Sequence, residues 1–145
     1  MPKVTVLLPV YNSEKYIKES IDSIIAQNFT DWDMLILNEY GSSEKCTEIV
    51  KEYEKKDARI RVIQNTKRLG LAESLNLGMR EATGEYIARM DADDIATDTR
   101  FEYQLKYMNE HKDISVLGGY IDEFSVEGEI IRTKTMPLTY KDLYK

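Results

Sequence analysis

Four short apolar runs, each ending in a polar segment and followed by a helical pattern, constrain this chain more than any other feature. The first, Val4–Val10 (Val-Thr-Val-Leu-Leu-Pro-Val), is rich in β-branched residues and apolar on both parities, as a central parallel strand must be. Pro9 offers no ladder donor, so it belongs at the end of that strand. The second run covers 32–37 and the third 60–63. The fourth contains Tyr86, Ile87, Ala88 and Met90, and reads as a buried strand that Gly84 starts and an acidic cluster stops. Between the runs lie amphipathic stretches. Asn12 or Ser13 can cap a helix with Ile17, Ile21, Ile24 and Ile25 on one face. A second helix over 44–55 carries Ile49, Val50 and Tyr53, and a third places Leu71, Leu75, Gly78, Met79 and Ala82 inward. Strands alternating with helices in this way imply parallel βαβ units joined by right-handed crossovers, an α/β fold with helices flanking a mostly parallel sheet.

The polar strand ends then matter. In such a sheet all the carboxyl-end loops lie on one edge, where ligands bind beside the point at which strand order reverses. Tyr11-Asn12, Asn38-Glu39 and Asp91-Ala92-Asp93-Asp94 are all carboxyl-end segments, so they can converge on one cleft. Three acids within four residues repel one another and are stable together only if solvated, protonated or neutralised by a cation. Oxygen-only donors suit Mg²⁺ or Mn²⁺, while a solvated acidic turn is the plain alternative. Arg89, just before the acids, is placed to pair with one of them. Lys67 and Arg68, in the loop over 64–69, can meet a phosphate or simply face water.

Charge and length narrow the ligand classes. With 26 acidic against 20 basic residues the net charge is -6, which gives the surface no overall attraction for nucleic acid. An anionic ligand would need a metal or local basic groups. A chain of 145 residues with 42% hydrophobic content is expected to form one domain over 1–145 with a real core. The single cysteine, Cys46, excludes an internal disulfide and fits a reducing, cytoplasmic setting. The apolar run near Met1 is too short for a signal peptide or a membrane span, and no later stretch reaches spanning length. Beyond the acids, Asp98 or Thr99 can cap a helix with Phe101, Leu105 and Met108 inward that ends near His111. Segments 114–124 and 129–133 read as a hairpin around Glu127-Gly128. Pro137 and Thr139 open a further helix, with Asp142 three residues past that cap. A helix begun this close to Lys145 is expected of the front part of a longer polypeptide.

Several segments in this order and spacing resemble the family 2 glycosyltransferases of the Rossmann-like GT-A fold. They are Val6-Leu-Leu-Pro-Val-Tyr-Asn12, Ser20-Ile-Asp-Ser-Ile-Ile-Ala-Gln27 and Gly70-Leu-Ala-Glu-Ser-Leu-Asn76, followed by residues 82–94 and Arg100-Phe-Glu-Tyr-Gln104. The resemblance implies a nucleoside-diphosphate-sugar donor, UDP- or GDP-linked, a Mn²⁺ or Mg²⁺ cofactor, and transfer with inversion to a saccharide or lipid-linked acceptor. It places Tyr11 against the nucleotide base, with Pro9, Asn12 and Arg68 in the donor site. Asp91 would reach the ribose or the metal shell, Asp93 would bind the metal at the diphosphate, and Asp94 would approach the sugar as the catalytic carboxylate or hold the loop. Where the family has Asp-Asp-Gly-Ser, this chain has Asn38-Glu39-Tyr40-Gly41-Ser42 with one extra residue; Glu39 can accept a base N–H, but its register does not fix the base. The family's acceptor segment and general base would fall beyond Lys145, so the chain is expected to bind donor and transfer poorly. In the longer protein the inner face of a membrane is a fitting location, and a homodimer is left open.

Other classes fit less well. A phosphotransfer receiver would carry acids after its first strand, where this chain has Tyr11-Asn12, and a haloacid-type phosphatase would carry its nucleophile there. A dehydrogenase would need Gly-x-Gly-x-x-Gly after the first strand, and a nucleotidyltransferase a glycine-rich basic loop; neither is present. A nucleotidyltransferase on a related fold comes closer than the others, and it and a non-catalytic nucleotide-sugar-binding module are the alternatives.

Overall fold

In a computed structural model of the protein, residues 1–125 and 127–136 are described. The order of elements is β1 (Val4–Val10), α1 (Ile17–Ile25), β2 (Trp32–Asn38), α2 (Glu44–Lys56), β3 (Ile60–Gln64), α3 (Gly70–Glu81), β4 (Tyr86–Arg89), α4 (Arg100–Glu110), β5 (Ile121–Phe124) and β6 (Ile130–Lys134). Two compact units divide the chain, residues 1–103 and 104–145.

The first unit is built on a parallel sheet in the order β3-β2-β1-β4. β1 sits between β2, in register Leu7↔Leu35, and β4, in register Leu7↔Arg89. Strand order therefore runs outward to β3 on one side and reverses to β4 on the other, which opens a crevice at the carboxyl ends of β1 and β4. Leu7, Leu35 and Leu37 form a core cluster with Ile63, Leu75 and Ala82 packed against it. By the pleat, Val6, Leu8, Met34 and Ile36 point to the opposite face, and all are buried. Both faces of the central strands are thus covered, as their unbroken apolar runs require.

Several expectations are corrected. β4 is not buried on both faces: its residues alternate between half-buried and exposed, and Ile87 is 46% exposed. The reason is position, since β4 pairs with β1 alone among the described residues, and the enclosed residues Met90 and Ala92 lie beyond its end. Helix α3 turns a different stripe inward. Leu71 and Met79 are about half exposed, while Ser74, Leu75, Gly78 and Ala82 face the sheet. Gly78 sets that rotation, because a Cβ there would lie 2.8 Å from Leu37 Cδ1. Neither Asn12 nor Ser13 caps α1 through its side chain; the helix starts at Ile17 with Tyr16 at its cap position and no side-chain cap. The Ser13 carbonyl instead accepts from the Tyr16 and Ile17 amides. At α2 the cap is Ser43, whose hydroxyl accepts from the Cys46 amide at 3.1 Å. Gly84 is also tightly packed, its missing Cβ falling 2.5 Å from the Thr5 amide nitrogen.

The second unit contains the end of α4 and an antiparallel hairpin of β5 and β6, in which Glu123 faces Arg132 and pairs with it at 2.8 Å. Gly128, at φ +86°, supplies the turn. The first hairpin strand is much shorter than 114–124 because Gly118-Gly119 interrupts the run. The expected helix from Pro137 lies outside the described residues. Among those residues no helix is long and apolar enough to cross a membrane.

Candidate functional site

At the carboxyl edge of the sheet a cavity of about 510 Å³ opens between the ends of β1, β2 and β4 and the start of α3. Pro9, Tyr11 and Asn12 line it from the end of β1, Glu39 from β2, and Arg68 from the loop before α3. Asp91 and Asp93 close it from the end of β4. Asp94 and Lys67 are not among the lining residues. The three carboxyl-end segments are therefore brought together.

Tyr11 is 42% exposed, and the guanidinium of Arg68 lies 5.2 Å from its ring centroid, close enough for a cation–π contact. Asn12 is in the left-handed region at φ +51°. Two bonds hold it there: its amide donates to Ser42 Oγ at 3.2 Å, and its Oδ1 accepts from the Ser43 amide at 2.8 Å.

Glu39 is almost fully buried, and its carboxylate is already engaged by the chain. It accepts from the amides of Gly70 at 2.6 Å, Tyr40 at 2.8 Å and Leu69 at 3.1 Å, and from Asn65 Nδ2 at 3.3 Å. Burial pushes this carboxyl up, but the hydrogen bonds from Leu69, Tyr40, Gly70 and Asn65 outweigh it and hold the group below its ordinary value. Glu39 thereby satisfies the first free amides of α3, assisted by the left-handed turn at Gly70, φ +77°. Asn65 is itself buried and also donates to Ser74 Oγ at 2.8 Å. Sequence reasoning missed Asn65 and Ser74; the only available signal was that two polar residues flank a loop reaching the cleft.

The acidic loop is differently placed. Arg89 forms a two-oxygen ion pair with Asp91, at 2.9 and 3.0 Å, with both side chains substantially exposed. Partial desolvation raises the Asp94 carboxyl, and the charges of Asp91 and Asp93 raise it further, against the opposing pull of Arg100 and Arg89. Arg100, also missed at the sequence level as a part of the site, donates to the Arg89 carbonyl at 2.9 Å; burial lowers its pKa. Among the described residues no three His, Cys, Asp or Glu side chains are gathered as a metal cage. The donor chemistry of Asp91 and Asp93 nevertheless fits a hard divalent cation of the Mg²⁺ type, which takes one or two carboxylates and completes its shell with water and phosphate oxygens.

The model of the family described as glycosyl transferase family 2 matches residues 5–145. An uncharacterized glycosyltransferase of Methanocaldococcus jannaschii is 41% identical over 141 residues, covering 97% of this chain and 48% of that protein. The chain thus spans about half the length of this relative. Among solved structures, S. aureus TarS 1-349 in complex with UDP-GlcNAc superposes with a TM-score of 0.69 at 22% identity, over 87% of this chain and 41% of the other. The mannosyltransferase PcManGT from Pyrobaculum calidifontis, in complex with GDP-Man and Mn²⁺, gives 0.71 at 23% identity, over 84% and 36%. These likenesses establish the shared GT-A fold, with its parallel sheet, flanking helices and following hairpin.

Proposed function

The chain belongs to glycosyl transferase family 2, and on that premise we propose that its cleft is the nucleotide-sugar donor site of an inverting, divalent-cation-dependent glycosyltransferase. The observation that carries this reading is the meeting of an exposed aromatic ring, a guanidinium and two carboxylates in one cavity at the strand-order reversal. Each group matches one part of a nucleoside-diphosphate sugar. Tyr11 offers a face to the base, backed by Pro9 and Asn12. Glu39 keeps the neighbouring wall in shape by fixing Leu69 and Gly70. A base stacking on the ring face that Arg68 covers displaces the guanidinium toward the diphosphate, where its charge is most useful.

Asp91 and Asp93 are the residues that would hold Mn²⁺ or Mg²⁺ at the diphosphate. When bound there, the cation supplies Lewis-acid stabilisation of the departing nucleoside diphosphate. Asp94 lies outside the cavity lining, where the Arg100 charge offsets part of its repulsion from Asp91 and Asp93. Among the described residues the carboxylates lining the cavity are Glu39, Asp91 and Asp93, and each has another task in this reading, so none of these is free to deprotonate an acceptor hydroxyl. We therefore expect the chain to bind donor and to transfer sugar poorly. For the whole protein the same reading proposes a saccharide or lipid-linked acceptor.

The test is calorimetric titration of UDP and of GDP, each with and without Mn²⁺, into the chain and into Asp93→Asn. Metal-dependent binding of one nucleotide that disappears in the variant supports the reading and names the base. Binding of neither by folded protein overturns it for this chain.

A further inference from the structure

Helix α1 has two kinds of buried residue. Ile17, Ile21 and Ile24 are the apolar ones; Ser20 and Ser23, with Gln27 just beyond the helix end, are polar and equally enclosed. Positions 20, 23 and 27 follow the i, i+3, i+7 spacing of one helix stripe. Buried polar groups are costly unless satisfied, and these are satisfied largely by one segment, the backbone of residues 91–101. Ser20 Oγ donates to the Asp91 carbonyl at 3.1 Å, and Ser23 Oγ accepts from the Ala96 amide at 3.1 Å. Gln27 uses both ends of its amide: Nε2 donates to the Thr97 carbonyl at 2.6 Å, and Oε1 accepts from the Phe101 amide at 3.1 Å. Immediately after the stripe, the Asn28 amide donates to the Asp98 carbonyl at 2.8 Å. Two further bonds run back along the same segment, from Ser23 Oγ to the Ser20 carbonyl at 2.7 Å and from Gln27 Nε2 to the Ser23 carbonyl at 3.2 Å.

The acidic loop is thus attached by its backbone to a helix that contributes no carboxylate to the cavity. We propose that Ser20, Ser23 and Gln27 are positioning residues. They hold the backbone of residues 91–101 against its internal charge repulsion, and so set where Asp91 and Asp93 present their oxygens to a divalent cation. The cation part rests on the donor-site reading; the holding of the loop does not. The physical demand is real, because a small hard cation tolerates little error in ligand position and the loop's own charges favour spreading.

The test compares Gln27→Met, nearly isosteric and unable to make these bonds, and the milder Ser20→Ala, with a control. Tyr53→Phe removes the 2.7 Å bond from the Tyr53 hydroxyl to Asp22 Oδ1, which joins α1 to α2 away from the loop. Amide hydrogen exchange in the ligand-free chain is read first. Gln27→Met is expected to speed exchange at Ala96 and Phe101 by roughly tenfold or more relative to the amides of α2, as local opening would. Ser20→Ala acts in the same direction, and Tyr53→Phe leaves that ratio unchanged. UDP and GDP are then titrated with Mn²⁺ and with EDTA. In the two stripe variants the metal-dependent affinity is expected to fall roughly ten- to a hundredfold, the scale for groups that orient metal ligands, with affinity in EDTA unaltered. Uniform acceleration of exchange, or an unchanged ratio in both stripe variants, overturns the proposal; so does a loosened loop with unchanged metal-dependent affinity. If the unmodified chain binds no nucleotide with Mn²⁺, the donor-site reading fails, and the exchange ratio still decides whether the stripe holds the loop.

Discussion

Glu39 closes the cavity from the end of one strand and Asp91 and Asp93, with Asp94 just outside, from the end of another, yet these carboxylates meet opposite conditions. Glu39 is buried and accepts hydrogen bonds from four donor groups of its own chain, so its charge is consumed in folding. In the cluster, carboxylates crowd one another and Asp94 is pushed above its ordinary value, while Asp93 faces the cavity and is exposed. A buried carboxylate in an acidic cleft is therefore not automatically part of the chemistry. What distinguishes the two is whether the backbone has already answered the charge.

The sharpest way to break this contrast is to remove the two kinds of carboxylate in turn. Glu39→Ala leaves the Leu69 and Gly70 amides without their acceptor and is expected to cost about 2 kcal/mol in urea denaturation, the scale for part-buried hydrogen bonds to a charged group. Asp93→Asn should change stability by no more than about 0.5 kcal/mol, as exposed substitutions do, while abolishing metal-dependent nucleotide binding. Equal destabilisation by both would dissolve the distinction.

A pH series sharpens it next. Because Glu39 is held below its ordinary value of 4.5, its contribution to stability is complete above that pH and lost as the pH falls through the folded value. Asp94, held above its ordinary value of 3.8, works in reverse: its penalty is absent below 3.8 and complete once the pH has risen past the folded value. Glu39→Gln should therefore flatten the acid limb of the stability curve, and Asp94→Asn should raise stability at neutral pH. Denaturant midpoints between about pH 3 and pH 7, a range that spans both ordinary values, test both signs.

Smaller effects follow at the two arginines. Arg68→Ala removes the cation over Tyr11 and is expected to weaken nucleotide binding about fivefold with or without Mn²⁺, in line with roughly 1 kcal/mol for a partly exposed cation–π or phosphate contact. Arg89→Ala releases Asp91 from an exposed ion pair and should shift stability by less than about 0.5 kcal/mol. A matching small gain in Mn²⁺ affinity, read by competition titration, would mark Asp91 as a ligand the pair restrains.

The strands were legible because parallel strands covered on both faces must be apolar on both parities, as Val4–Val10 and 32–37 are. The convergence of Tyr11, Glu39, Asp91 and Asp93 followed from one topological rule, since all of them end strands. What escaped depended on neighbours distant in sequence. Ile87 looked buried because edge position is a property of strand order, which local composition does not encode. Leu71 and Met79 looked inward because helical periodicity does not reveal that Gly78 brings one particular face against Leu37. Asn12 looked like a cap because its bonding to Ser42 and Ser43 joins loops thirty residues apart. The environment of Glu39 required the α3 amides, which no pattern around Asn38-Glu39 announces.

Asn12 also has a consequence in time. A single left-handed residue on an open loop can relax by a peptide flip on the nanosecond scale typical of loops, turning its neighbours with it. Here that flip would have to break both clasps to the Ser42-Ser43 segment. The backbone that carries Tyr11, one residue earlier, is consequently held in place. On the proposed reading, a nucleotide that stacks on Tyr11 displaces the Arg68 side chain and does not wait for a backbone flip, so differences in affinity among nucleotides should be written in their residence times.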